Sequence, residues 1–164
     1  TIYVSPRNLE DLKRHPHIFY PCIKIAGEYA VVANGEHSEA ISNKLANGEK
    51  PFNTVSRVLS EAGPENDAYS TPRIAGVLCS EACAIGIVQR SGLNVNEFEP
   101  HRSFMIATYE KTAFEEIKIK GKSASEIARF LYDLEYDLPV CAACAVSKEK
   151  AFELDVYNGR ISGE

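Results

Sequence analysis

The spacing of apolar residues in the first third of the chain predicts two strands followed by two helices. Apolar and β-branched residues recur in the strand pattern in CIKI (22–25) and in EYAVVAN (28–34), which is typical of an antiparallel hairpin, and Gly27 suits its turn. The pattern then changes to helical spacing over Ser38–Ala46 and again over Phe52–Ala62. We therefore expect a hairpin that leads into a pair of helices.

Two near-continuous apolar runs in the middle of the chain predict a second hairpin. The runs are RIAGVLC (73–79) and ACAIGIVQR (82–90), and only Ser80 and Glu81 separate them. So short a connection is typical of antiparallel neighbours. Three further strands are predicted after this hairpin, at Leu93–Phe98, Phe104–Tyr109 and Glu116–Ile119.

The last third of the chain predicts two helices and a final strand. Ser123 and Glu126 have the spacing of a capping box, which opens a helix that reaches about Tyr136. A second helix is predicted after Pro139, because proline is favoured at a helix start, and a strand over Phe152–Tyr157. This order departs from regular βαβ alternation, so it predicts an α+β fold with antiparallel sheets between helix layers.

Composition limits the class of protein. With 164 residues, 45% hydrophobic and 25% charged, the chain suits one globular domain over residues 1–164. The net charge of −5 and the lack of a basic run disfavour nucleic acid as a partner. No apolar run approaches the roughly 20 residues that span a bilayer, so no membrane partner is expected. The sequence predicts a cytoplasmic protein.

The cysteines raise the question of a metal site. Cys79 and Cys83 are four residues apart, and Cys141 and Cys144 are three apart, so a zinc site of four thiolates must be considered. However, the first pair lies in an apolar run where cysteine serves as a small hydrophobe, and CAAC is predicted as a helix face of small residues. An odd total of five cysteines favours reduced thiols. We therefore expect no metal.

Polar residues gather where the predicted strands end. The chain contains no Walker loop, G-x-G-x-x-G, G-x-S-x-G or H-E-x-x-H motif, so these clusters are the candidate sites. Each has an ordinary alternative as a turn, a strand start or a solvated loop. The clusters are Tyr20 with Cys22, Asn34–His37, Glu65–Asp67 with Ser70–Arg73, and Thr108–Thr112.

Four blocks of the sequence resemble one known family. HPHIFYPCIKIAGEYAVVANGEHSEAI, STPRIAGVL, EACAIGIVQRSGL and ATYEKT, in this order, are similar to the archaeal-type inosine monophosphate (IMP) cyclohydrolases, with the similarity thinning after Lys120. The resemblance implies a four-layer αββα sandwich like that of the N-terminal-nucleophile hydrolases. It also implies closure of the formamido-imidazole-carboxamide ribotide to IMP, the last step of purine biosynthesis, without metal or cofactor.

The resemblance assigns roles to particular residues. Tyr20 and Glu65 match catalytic positions: a tyrosine can donate to the formyl oxygen, and a carboxylate can accept a proton from the amide nitrogen. Arg73 either binds the ribotide phosphate or forms an ion pair at the core edge. Further residues are implied to line the substrate pocket: Asn34, Gly35, Thr71, Tyr109 and Glu110.

The chain departs from the family at its start. The family carries a further N-terminal stretch with arginine-bearing segments, and this chain begins with Thr1 after it. We therefore expect a homo-oligomer or a partner chain that supplies the stretch. Two other functions stay open: an amide hydrolase with Thr1 as N-terminal nucleophile, and a non-catalytic domain that binds the ribotide.

Overall fold

The computed structural model describes residues 1–14, 18–134, 138–149 and 151–159. The chain divides into two compact units, Thr1–Glu116 and Ile117–Glu164, and each is described by itself. The expectation of one domain over residues 1–164 stays a prediction. Mixed α and β structure with antiparallel sheets is confirmed.

The first unit contains a six-stranded antiparallel sheet whose strands lie in chain order. Both predicted hairpins and the strand after them are confirmed. The first strand was not predicted, because three residues are too few to show an alternation. The strands are β1 (Ile2–Val4), β2 (Tyr20–Ala26), β3 (Tyr29–Ala33), β4 (Arg73–Leu78), β5 (Cys83–Gln89) and β6 (Gly92–Phe98).

Two helices of this unit lie between β3 and β4 in the chain. After the short α1 (Asp11–Arg14), both predicted helices are confirmed as α2 (His37–Ala46) and α3 (Pro51–Ala62). The second begins at a proline, whose missing N–H needs no partner in the first turn. The helices α2 and α3 pack on the sheet, α2 against β2 and β3 and α3 against β4, β5 and β6.

A glycine allows α3 to approach the sheet closely. A Cβ at Gly86 of β5 would lie 2.7 Å from Val55 Cγ1, 2.8 Å from Leu59 Cδ1 and 2.9 Å from Val95 Cγ2. Val55 and Leu59 are completely buried in the core between α3 and the sheet. The core therefore has no room for a side chain at position 86.

A second, two-stranded sheet follows β6. Its strands are β7 (Phe104–Met105) and β8 (Glu115–Glu116), so the strands predicted over Phe104–Tyr109 and Glu116–Ile119 are much shorter than expected. Between them the chain turns back, with the Ala107 N–H donating to the Lys111 carbonyl at 2.7 Å. This turn begins two residues after Met105, so β7 and β8 pair at only two positions.

The second unit packs one helix on a hairpin. The helix α4 (Ala124–Tyr132) begins as predicted, with the Ser123 side chain accepting from the Glu126 N–H. The Glu126 carboxylate accepts from the Lys122 N–H at 2.7 Å, so the second half of the predicted capping box is displaced by one residue. The helix ends at Tyr132, and its predicted end near residue 136 lies outside the described residues.

The helix predicted after Pro139 is wrong. Residues Cys141–Lys148 form a strand, β9, that pairs along its whole length with β10 (Ala151–Asn158). The interpretation of CAAC as a helix face fails with it. Alanine favours a helix locally, but the long pairing with β10 and burial of Cys144 against Ala124 and Ala128 decide the structure. The final predicted strand is confirmed.

Candidate active site

Asn34 joins the end of β3 to the start of β4. Its side-chain Nδ2 donates to the Pro72 carbonyl at 2.9 Å, and its Oδ1 accepts from the Ile74 N–H at 2.9 Å. Because both ends of the amide have backbone partners, Asn34 holds β4 in register where the ladder ends. The asparagine fixes the backbone on both sides of Arg73.

Arg73 and Glu65 form an ion pair beside this joint. The Arg73 Nη1 contacts the Glu65 Oε1, and the Arg73 Nε donates to the Gly63 carbonyl at 3.1 Å. The Arg73 side chain is 16% exposed and that of Glu65 34%. The Glu65 N–H also donates to the Thr71 carbonyl at 2.8 Å, which closes the loop between α3 and β4. The ion-pair alternative for Arg73 is therefore present in the structure.

Gly35 lies between the Glu65 carboxylate and a histidine. A Cβ at this position would be 3.1 Å from the His37 Nδ1 and 3.5 Å from the Glu65 Oε1. A side chain here would crowd the imidazole and contact the carboxylate. Gly35 thus lets these two groups approach the same point.

His37 belongs to the candidate cluster Asn34–His37, but the sequence assigned it no role. It is the first residue of α2, only 6% exposed, and its Nε2 lies 3.0 Å from the Ile74 carbonyl. Burial lowers its pKa; the Ile74 carbonyl opposes this shift and the Arg73 charge adds to it. The imidazole is therefore held neutral. Its position just after Asn34-Gly35 indicated a place near the site, but it did not indicate the hydrogen-bond partner of the imidazole.

A hydrogen-bonded group of hydroxyls lies at the loop between α3 and β4. The Thr71 Oγ1 donates to the Asp67 Oδ2 at 2.6 Å and lies 3.0 Å from the Tyr109 hydroxyl. Asp67 also accepts from the N–H groups of Thr71 and Tyr69. The Thr71 hydroxyl is the largest cause that lowers the pKa of Asp67. Asp67, which sequence reasoning left unassigned, thus orders the hydroxyls of Thr71 and Tyr109.

Two predicted residues are placed less directly. Tyr20 is the first residue of β2, where it pairs with Val4 of β1, three residues before the β2–β3 pairing begins at Ile23 and Val32. The Ser38 hydroxyl donates to the Pro21 carbonyl at 2.8 Å, which ties the start of β2 to α2. Glu110 is exposed in the turn between β7 and β8. Contacts connect four of the other six: Glu65, Thr71, Arg73 and Tyr109. Asn34 bonds the residues on either side of Arg73, and Gly35 lies beside the Glu65 carboxylate.

The cysteines do not form a chelating arrangement within the described part of the chain. No group of three or more His, Cys, Asp or Glu side chains there is placed to hold a metal ion. Cys141 and Cys144 lie three apart on β9, so they point to opposite faces of that strand. Burial raises the pKa of the Cys83 and Cys144 thiols. These two thiols are in the protonated form that suits packing.

No helix within the described residues is long and apolar enough to cross a membrane. The cluster at the β3–β4 joint offers a fixed carboxylate, a guanidinium and ordered hydroxyls. Groups of this kind suit proton transfer and hydrogen bonding to a polar ligand.

Comparison with known proteins gives one consistent result. A family model described as IMP cyclohydrolase-like protein matches residues 1–151. A protein of Methanothrix thermoacetophila named IMP cyclohydrolase is 40% identical over 162 residues, 98% of this chain and 81% of the relative. Proteins of the same name from Methanocella arvoryzae (40% over 160 residues; 96% and 80%) and Natronomonas pharaonis (38% over 160; 97% and 82%) also match.

Proposed function

Because this chain belongs to the IMP cyclohydrolase-like family, we propose that it is an enzyme with the activity for which its relatives are named. It closes the formamido-imidazole-carboxamide ribotide to IMP with loss of water, the last step of purine biosynthesis. The observation that carries the site assignment is the Glu65–Arg73 pair beside Gly35, where β3 and β4 meet.

The reaction needs proton movement and positioning. The carboxamide nitrogen attacks the formyl carbon and loses a proton, while the formyl oxygen gains a proton and becomes a hydroxyl. This hydroxyl takes a second proton and leaves as water, as the formamide nitrogen loses its proton and forms the C=N double bond of the ring. Both reacting groups belong to one molecule, so holding them in the attack geometry supplies much of the acceleration. These demands match a rigid pocket edge with one proton acceptor and one hydroxyl donor.

Glu65 is proposed as the proton acceptor. Arg73 contacts its Oε1 and thereby fixes the plane of the carboxylate, so Oε2 is the oxygen that accepts the amide proton. Because the Arg73 Nη1 is paired with Glu65, we assign Arg73 to orienting the carboxylate rather than to the phosphate. We propose that a second copy or a partner chain supplies cations for the phosphate.

Tyr20 is proposed as the donor to the formyl oxygen. The assignment is supported by the tie between Pro21, the next residue of β2, and the Ser38 hydroxyl of α2, the helix whose first residue lies two positions after Gly35. Thr71 and Tyr109 offer hydroxyls to the ribotide, Asn34 and Gly35 shape its pocket, and Glu110 lines the exposed rim.

The proposed fold extends the observed one. Each unit supplies a sheet with helices on it: six strands with α2 and α3, and two strands with α4. A sheet with helices packed on one face is a component of the αββα sandwich, so we propose that architecture for the fold. We also propose that the enzyme acts in the cytoplasm, where the pathway operates.

Replacing Tyr20 by phenylalanine tests the catalytic assignment. Tyr20→Phe should lower turnover by roughly 10²–10³-fold, because a donor to the developing oxyanion is lost, while binding of a non-reacting ribotide changes little. Turnover is followed by the hypoxanthine chromophore and binding by calorimetry. Tyr69→Phe is the matched control, since Tyr69 is 82% exposed and its hydroxyl should be dispensable. Equal turnover in Tyr20→Phe and wild type would rule out the role.

The same assay separates the alternative functions. Thr1→Ala should leave turnover unchanged, whereas a loss of about a thousand-fold would support an N-terminal nucleophile. A protein that binds the ribotide without converting it would be a binding domain.

A further inference from the structure

His37 has one satisfied and one unsatisfied ring nitrogen. The carbonyl of Ile74 can only accept, so the His37 Nε2 carries the proton, and Nδ1 is an acceptor in the neutral ring. Within the described residues, Nδ1 is buried without a hydrogen-bond partner. It faces the Gly35 backbone, at the point that the Glu65 Oε1 also approaches.

Ile74 connects this histidine to the ion pair. Its carbonyl accepts from the His37 Nε2 at 3.0 Å and, over a longer distance of 3.4 Å, from the Asn34 N–H, and its own N–H donates to the Asn34 side chain. Arg73 precedes it directly and begins β4. A shift of the Ile74 peptide would therefore move the guanidinium that orients Glu65.

We propose that His37 is a positioning residue for the cyclisation: its imidazole fixes the start of β4 through Ile74 and so holds Arg73 and Glu65 in the reactive geometry. This inference rests on the proposed function. Misplacing a reacting group by about 1 Å can lower turnover by roughly 100-fold, so a residue that touches no substrate can still set the rate.

A histidine that only stabilises the fold predicts a different result. It would change the fraction of folded protein and the melting temperature, but not the turnover of each folded molecule. The measurement that separates the two roles is kcat per folded active site, taken well below the melting temperature of each variant, together with KM.

The test compares two variants of the complete protein. In His37→Gln, the side-chain amide can still donate to the Ile74 carbonyl, so kcat should stay within about threefold of wild type. His37→Leu keeps a similar volume without a donor, and its kcat should fall roughly 10- to 100-fold with a smaller change in KM. Ser42→Ala is the matched control, because Ser42 is a buried polar residue of α2 that bonds the Ser38 carbonyl. Its kcat should not change.

Each outcome decides the matter. Wild-type kcat in folded His37→Leu would overturn the proposal, and so would equal losses in His37→Gln and His37→Leu. If His37→Leu does not fold, His37→Asn, whose shorter amide does not reach Ile74, takes its place with the same expectation. Failure of both to fold would make the role structural. No turnover by wild type would instead contradict the proposed function, independently of His37.

Discussion

Breaking the Glu65–Arg73 pair should reduce stability by a calculable amount. Arg73→Met removes two hydrogen bonds, to the Glu65 carboxylate and to the Gly63 carbonyl. Hydrogen bonds that involve charged groups contribute about 1.5–3 kcal/mol each. Because the Glu65 side chain is about a third exposed, water replaces part of its lost partner. We therefore expect a loss of about 2–4 kcal/mol, with Glu65→Gln losing about 1–2 kcal/mol.

A double-mutant cycle gives the coupling free energy between the two side chains. It compares urea unfolding of the wild type, both single variants and the double variant. We expect about 1–2 kcal/mol for this pair. The control is the Lys13–Glu10 pair on α1 and the turn before it, whose side chains are 74% and 72% exposed. Its coupling should be about 0.5 kcal/mol or less, as for other surface pairs.

A coupling below about 0.5 kcal/mol for Glu65 and Arg73 would refute the reasoning that the guanidinium fixes the carboxylate. If Arg73→Met retained wild-type stability and instead weakened ribotide binding, the phosphate-binding alternative would be the correct one.

Three further outcomes follow from the structure. Gly86→Ala should lower the free energy of unfolding by about 1–3 kcal/mol, because a methyl group would collide with Val55 and Leu59. Gly76→Ala should lower it less, because its methyl group would crowd the Val32 side chain but make only ordinary contact with the Ala84 carbonyl; equal urea midpoints of the two variants would contradict this. The free energy of unfolding should fall as pH drops below 6.5, because the fold lowers the pKa of His37 and the unfolded chain therefore binds the proton at a higher pH. If the free energy of unfolding of His37→Gln fell with pH as steeply as that of wild type, this explanation would be wrong. A chelator should leave folding and turnover unchanged. A protein that contained stoichiometric zinc and unfolded when the chelator removed it would contradict this expectation.

The two hairpins of the first unit and the helices α2 and α3 were predictable because their patterns are strong. The β4–β5 hairpin combines two long apolar runs with a two-residue connection, and α3 combines an amphipathic pattern with Pro51 at its first turn. The strand β9 was not predictable in this way. Its small residues suit either structure, and only the pairing with β10 and the packing of Cys144 decide between them.

The sequence predicted several residues of the candidate site, but it did not predict most of the contacts between them. Asn34 and Arg73 were selected as residues at strand ends, and the antiparallel β3–β4 pairing brings those ends together. The role of His37 could not be assigned because its partner, the Ile74 carbonyl, lies far away in the sequence. Asp67 was missed because its partners are backbone N–H groups and one hydroxyl, which no sequence pattern specifies.

The order of the strands has a consequence for how the protein folds. Neighbouring strands in the sheet are also neighbours in the chain, so β2–β3, β4–β5 and β5–β6 form over short loops and can form rapidly. Pairing of β3 with β4 instead requires closure of the segment that contains α2 and α3. This is the longest connection in the sheet, so its closure has the largest entropic cost. The proposed active site lies at this closure. Pulse-labelled hydrogen exchange should therefore protect the Ile74 amide later than the amides of the β2–β3 hairpin, so catalytic competence arises late in folding, after most of the secondary structure is in place.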